Sequence, residues 1–339
     1  MPSFAQRGAV LAIGEYDPSN VKLCHRLDGR SVTDDDMHFL QQIGLRWVRV
    51  EFGADANFED LQAIQRRFAR YGLRIYSAVH TAYRSLDVQL GRPGRDRDID
   101  TYRRFLGDLG KLEIPVASYD FHPANTYTTR TIEYQGYSTR EFDLADFRAR
   151  VEKRQFDREY TADEIWANYT YFVKAALPAA EEAGVTMALH PDDPPLAKMN
   201  GVAKLFIDYE GYRRAEQIAG NSRNWGLTLC VGTWLEGGTH MGKDVFEMIR
   251  DFGGRGKIFE IHFRNVTSPL PRFNETFPDG GYADLYQVMK ALREVRYNGA
   301  VEPDHVPPLV GDTGMERSGT AYCIACMRAM LRRANEEVG

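Results

Sequence analysis

The sequence has no apolar run of roughly 18 residues, the length a bilayer-spanning helix needs, so no transmembrane segment is expected. Its first residues, Met1-Pro-Ser-Phe-Ala-Gln-Arg7, lack the basic-then-apolar order of a secretory leader, which makes the cytoplasm the expected compartment. Basic charge is not in excess: 43 Lys and Arg stand against 48 Asp and Glu, a formal net charge of −5. That balance argues against a nucleic-acid partner but leaves room for a small anion met by a local arginine. Cysteine is scarce, four in 339 residues, so no disulfide scaffold is expected. Cys323 and Cys326 form a C-x-x-C, yet they fall in "AYCIACMRAMLRR", a helical pattern with an apolar face, where core packing is the expected role. Neither G-x-G-x-x-G nor a P-loop is present. "GGRGK" precedes a strand-like run rather than a helix, the wrong context for phosphate binding.

What the sequence does have is alternation. Short β-like runs occur at Ala9–Ile13, Trp47–Phe52, Leu73–His80, Val116–Phe121, Val185–His190, Gly226–Val231, Ile258–Phe263 and Ala300–Pro303. Helical patterns lie between them. One starts at Thr33 with an acidic first turn. "FEDLQAIQRRFARYG" ends on Gly72. Another opens on a Thr161-x-x-Glu164 capping box, contains Pro178 and closes on Gly184. Further helices are expected near Asp98–Leu112, Tyr209–Ile218, Lys243–Phe252, Tyr282–Val295 and Ser318–Glu336. Strands alternating with helices in this way predict an α/β protein. The expected form is a single (β/α)8 TIM barrel over residues 1–339, with an open doubly wound sheet as the alternative. Two irregular stretches, Pro123–Glu159 and Asn265–Gly281, follow predicted strands and are expected to rise as extended loops over the C-terminal face.

The predicted strand ends carry the chemistry. His190 ends the fifth, Cys230 the sixth and His262 the seventh, and the eighth leads to Asp304 and His305. In a barrel these ends converge on one face, where active sites sit. Imidazoles, a thiolate and a carboxylate from successive strands make a ligand set for a divalent transition metal. On chemistry alone Mn2+, Fe2+, Co2+ and Zn2+ all remain open. Asp192 and Asp193 tempt one to see a catalytic carboxylate pair, but neighbours in an extended segment point to opposite sides. At most one is expected to face the site; the other should cap a loop.

Several stretches are more specific. "ALHPDDPP", "LTLCVGTW", "IHFRNV" with "ETFPDGGY", "EPDH", "QLGRPGRDRDIDTYRRFLGDLGK" and "YDFHPANTYTTRT" resemble the mannonate dehydratase family. The likeness runs from about Ser77 to Asp304 and is poor over the first 70 or so residues. It implies a xylose isomerase-like barrel, cytoplasmic sugar-acid metabolism and a homo-oligomer. It implies dehydration of D-mannonate to 2-keto-3-deoxy-D-gluconate, usually with Mn2+. The family's metal ligands fall on His190, Cys230, His262 and Asp304, and a general acid/base histidine falls on His305. There are departures. Glu302 stands where the family commonly has Arg, and Met315 stands near the place of a family tyrosine proposed for acid/base chemistry. Tyr127-Thr-Thr-Arg130-Thr replaces a Trp-Thr-Arg-Thr.

A dehydratase must also hold the substrate carboxylate, for which Arg264 and Arg130 are the candidates, since a guanidinium matches two oxygens. His80 and His122, at the ends of the third and fourth predicted strands, are expected to contact hydroxyl groups. The alternatives are a sugar isomerase or epimerase on the same barrel, a sugar-acid binder that retains metal without turnover, and a barrel nuclease, which the net charge disfavours.

Overall fold

A computed structural model describes residues 13–312 and 315–338. Eight parallel strands close into a barrel: β1 (Lys22–Asp28), β2 (Trp47–Phe52), β3 (Arg74–His80), β4 (Val116–Tyr119), β5 (Thr186–Leu189), β6 (Trp225–Cys230), β7 (Ile258–His262) and β8 (Ala300–Glu302). The circuit closes where β8 pairs with β1, Lys22 against Ala300. The chain is therefore a (β/α)8 barrel. Strands β2 to β8 fall where the apolar runs predict them. The first expected strand, Ala9–Ile13, lies outside the described residues except for Ile13, and the strand that fills its place is Lys22–Asp28. This segment, KLCHRLD, is too polar to announce itself. His25 and Arg26 sit in it because they line cavities at the barrel mouth rather than an aliphatic core.

The helices begin where side chains can satisfy the free N–H groups of a first turn. Thr33, Asn57 and Thr161 each close a capping box, with Asp36, Asp60 and Glu164 respectively. The helix Ala162–Ala183 runs through Pro178 and stops at Gly184, whose φ of 69° is the left-handed value that glycine adopts without strain. The last helix, Arg317–Val338, buries Cys323 and leaves Cys326 partly exposed, as packing residues.

The two irregular stretches are not loose loops. Arg130–Tyr134 and Tyr137–Asp143 form a hairpin, and Arg272–Thr276 joins it, with Asn265–Val266 at the far edge. A four-stranded antiparallel sheet thus stands on the barrel. Both of its halves come from connections that follow barrel strands at the same end, which is what brings them together.

The barrel interior is unusually polar. Arg49 lies 3.5 Å from both Glu260 and Glu302, and Ser77 donates to Glu260 at 2.5 Å. All four are buried. Buried charge persists only when paired, and here each carboxylate has a cation or a hydroxyl beside it.

Candidate active site

Each ligand-type side chain reaches the mouth by its position in a strand. His190 directly follows β5; its backbone N–H donates to Tyr119 of β4 at 2.8 Å. Its Nδ1 lies 2.8 Å from the carbonyl of Pro191. A carbonyl only accepts, so Nδ1 carries the hydrogen and Nε2 presents a lone pair. Burial pushes the His190 imidazole down to about 3, helped by the neighbouring His262 and His122, so the ring is neutral. Cys230 ends β6 and receives the Thr233 N–H at 3.4 Å on its sulfur. His262 ends β7, in register between Cys230 and Glu302.

The ligand atoms of His190, Cys230 and His262 lie within 4.8 Å of one another. Asp304 stands beside two of them, its Oδ2 3.8 Å from Cys230 Sγ and 3.8 Å from His262 Nδ1. Burial opposes charge on His262, but the Asp304 and Glu302 carboxylates outweigh it and raise the imidazole to about 10. A cation at this place would displace that proton. Both His262 ring nitrogens are buried without a hydrogen-bond partner, as in a ring that serves a ligand. Glu302, 3.1 Å from His262 Nε2, orients the ring from behind. A second group, Glu260, His262 and Glu302, is also close enough for a metal. Arg49 already stands between its carboxylates, so it reads as a salt-bridge network instead.

Arg264 does not line the cavity. It is fully buried, with Asp193 at 2.8 Å, Glu236 at 2.6 Å, Asp304 at 3.0 Å and Glu275 at 3.8 Å. Its guanidinium is consumed by these partners and cannot also grip a substrate; it fixes Asp304 in place. Even so, the anionic side chains outnumber it. Burial pushes the Glu236 carboxyl well above the usual carboxylate range, against the pull of Arg264. Asp193, Glu275 and Asp304 still face one arginine, a surplus that suits an added cation. The donor set and this surplus together fit a divalent metal.

Arg130 also stands elsewhere. It lies on the outer sheet, 2.7 Å from Glu141 and 3.6 Å from Asp146, and is not part of the cavity wall. His80 turns into the protein: its Nε2 meets the Ala56 carbonyl at 3.2 Å and its ring packs on Phe105. His122 does line the cavity, with Nε2 3.0 Å from Asp120. Asp192 caps a loop, accepting the N–H groups of Leu205 and Phe206 at 2.9 and 3.0 Å. Asp193 faces the cavity.

The cavity measures about 520 Å³. His190, His262, Asp304 and His305 stand in its wall, with Arg26, Glu51, Asp120, Tyr127 and Arg140 around them. Arg26 and Arg140 have no carboxylate partner among the described residues. His305 Nδ1 contacts Glu275 Oε1 at 2.8 Å, leaving Nε2 on the other edge, 3.5 Å from Asp304. His305 has φ 44°, a left-handed conformation a non-glycine residue holds only when its surroundings enforce it. Met315 lines an adjoining cavity of about 870 Å³, together with His25, Arg26, Glu51 and His305. Its thioether has no proton to give. Sequence reasoning missed Arg26, Glu51, Asp120 and Arg140. Glu51 and Asp120 obey the strand-end rule that found His190; Arg26 and Arg140 sit on strands that were not recognised.

Fold and site define a class first: a TIM barrel with a His–Cys–His group and a carboxylate at the C-terminal mouth of its strands. The family model described as D-mannonate dehydratase (UxuA) matches residues 138–336, and the chain belongs to that family. A mannonate dehydratase of Streptococcus suis (strain 05ZYH33) is 31% identical over 255 residues, covering 67% of this chain and 68% of that one. The crystal structure of mannonate dehydratase from Streptococcus suis serotype 2 superposes with a TM-score of 0.79 at 27% identity, over 93% of this chain and 96% of that one. A xylose isomerase-like TIM barrel protein from Mycobacterium smegmatis, solved in complex with magnesium, shares the fold. Its TM-score is 0.59 at 12% identity, over 94% and 99% of the two chains.

Proposed function

We propose that the protein is a metal-dependent sugar-acid hydro-lyase that converts D-mannonate to 2-keto-3-deoxy-D-gluconate and water, in the cytoplasm. The observation that carries this reading is the convergence of His190, Cys230 and His262, with Asp304 beside them, in a chain of the mannonate dehydratase family. These four residues would hold a divalent cation, with Mn2+ the first choice. When bound, it supplies positive charge that stabilises the anion formed as C2 loses its proton.

The protein's own groups do the rest. Arg26 and Arg140, without carboxylate partners among the described residues and set in the cavity wall, take over the carboxylate-binding role that Arg264 and Arg130 cannot fill. His305 is the base for the C2 proton: Glu275 holds its Nδ1, which leaves Nε2 free to accept. Asp193 and Arg264 keep Asp304 aimed at the site.

The test is a panel of aldonic acids with Mn2+, assayed for 2-keto-3-deoxy products. Mannonate should give product with loss of one water. An epimerised or isomerised sugar without water loss would favour the isomerase reading. Binding without turnover across the whole panel would leave a sugar-acid binder, and the lyase reading would fall.

A further inference from the structure

Elimination of water from a 2,3-dihydroxy acid needs two proton carriers, one to take the C2 proton and one to give a proton to the departing C3 hydroxyl. We propose that Tyr127 is the second carrier, the acid that protonates the leaving hydroxyl. The proposal rests on the dehydratase reading above.

Tyr127 lines the same cavity as His305, and their rings meet edge to face with centroids 6.5 Å apart. On its other side Tyr127 Oη lies 3.2 Å from His122 Nε2. That nitrogen is also 3.0 Å from Asp120 Oδ1. A carboxylate only accepts, so His122 Nε2 carries a hydrogen, shared between Asp120 and the phenolic oxygen. The tyrosine's own hydrogen is then free to point into the cavity. Asp120 is itself held, by the Tyr83 hydroxyl at 2.8 Å and Arg84 Nε at 3.0 Å, so the line Asp120–His122–Tyr127 is fixed at its far end. The His122 ring stands 6.1 Å from that of His190, which places this line beside the ligand group.

The other phenol in the wall, Tyr119, is committed. Its hydroxyl sits between Tyr169 at 3.1 Å and the Trp225 indole N–H at 3.0 Å. Ser118 is tied to Thr228 at 3.2 Å. Tyr127 is 37% exposed at the mouth of the cavity, and desolvation of its phenol there, with Asp120 and Asp193 nearby, pushes it above its ordinary value. It therefore starts protonated, as an acid must.

The step balances. The C2–H electron pair becomes the C2=C3 bond while the proton goes to His305. The C3–O pair leaves with oxygen, which takes the Tyr127 proton and departs as water. The enol then ketonises: its hydroxyl proton returns to the Tyr127 phenolate, and His305 gives its proton to C3. Both residues end as they began.

The experiment compares wild type and Tyr127→Phe, both loaded with Mn2+, on mannonate and on its 3-deoxy-3-fluoro analogue. Fluoride leaves without a proton, so the analogue does not need the acid. Tyr127→Phe should lose about 10²–10⁴-fold in kcat on mannonate, keep its metal and its KM, and act on the fluoro substrate within a few-fold of wild type. It should still exchange the mannonate C2 hydrogen with D2O, because His305 is intact. His122→Gln, which removes only the positioning imidazole, should lower kcat on mannonate by a smaller factor and spare the fluoro substrate. Equal losses on both substrates, in either variant, would make the role structural and overturn the proposal, as would an unchanged kcat on mannonate. A wild type that dehydrates no aldonate would instead sink the reading on which the proposal rests.

Discussion

At the residue scale, the clearest result is that two arginines of similar sequence appearance have opposite settings. Arg264 is buried among four carboxylate-bearing side chains, while Arg130 has a side chain 46% exposed. Truncating a buried ion-pair partner strands the charges it served, at a cost of about 3–5 kcal/mol; an exposed pair is worth about 1 kcal/mol or less. Arg264→Met should therefore lower unfolding stability by several kcal/mol and release bound metal through Asp304. Arg130 shares the buried Glu141 carboxylate with Arg272, which stays 2.6 Å away, so Arg130→Ala should change stability by only about 1 kcal/mol and leave turnover intact. Chemical denaturation with metal analysis separates the two. An Arg264→Met protein as stable as wild type would remove the positioning role assigned to this residue. For the substrate carboxylate, Arg26→Gln and Arg140→Gln should each raise KM for mannonate while metal content stays constant; an unchanged KM in both would send the search for the anchor elsewhere.

At the scale of elements, the sheet above the barrel does catalytic positioning. Glu275, on the strand Arg272–Thr276, is the carboxylate that holds His305. Glu275→Gln should lower kcat by about 10-fold or more with little change in KM, since a misplaced base loses rate rather than binding. Steady-state kinetics on mannonate decide it; a KM effect alone would show that Glu275 belongs to binding. This sheet was not read from the sequence, although one signal was there. Gln135-Gly136 separates two runs of alternating β-formers, and both residues have positive φ, 51° and 87°, the pattern of a tight hairpin turn. The partner strand lies more than a hundred residues away, and no local pattern announces such a pairing. Seven barrel strands were readable because apolar and β-branched residues dominate each of them, even where Arg49, Ser77, Glu260 or Glu302 turns into the barrel. β1 was not, because its polar residues serve the mouth.

At the scale of the whole molecule, the barrel explains why a strand-end rule could gather His190, Cys230, His262 and Asp304 from positions spread over more than a hundred residues. The rule could not tell which strand-end side chains turn inward. His80 follows it yet points into packing against Phe105, and Arg264, two residues beyond β7, is swallowed by carboxylates that no local pattern places beside it. The surplus of buried negative charge at the mouth couples the site to the stability of the whole fold. Mn2+ at 100 times its dissociation constant should stabilise the native state by about 2.7 kcal/mol, visible as a rise in Tm that a chelator reverses. An unchanged Tm would mean that the native protein does not bind the ion.

Whether the His–Cys–His group with Asp304 holds the metal on which dehydration depends is decided by elemental analysis of Cys230→Ala and His262→Ala beside wild type, coupled to the mannonate assay. Wild type should carry about one divalent ion per chain and form 2-keto-3-deoxy-D-gluconate, and each variant should lose both while its far-ultraviolet circular dichroism stays native. Full metal content in both variants would contradict this assignment.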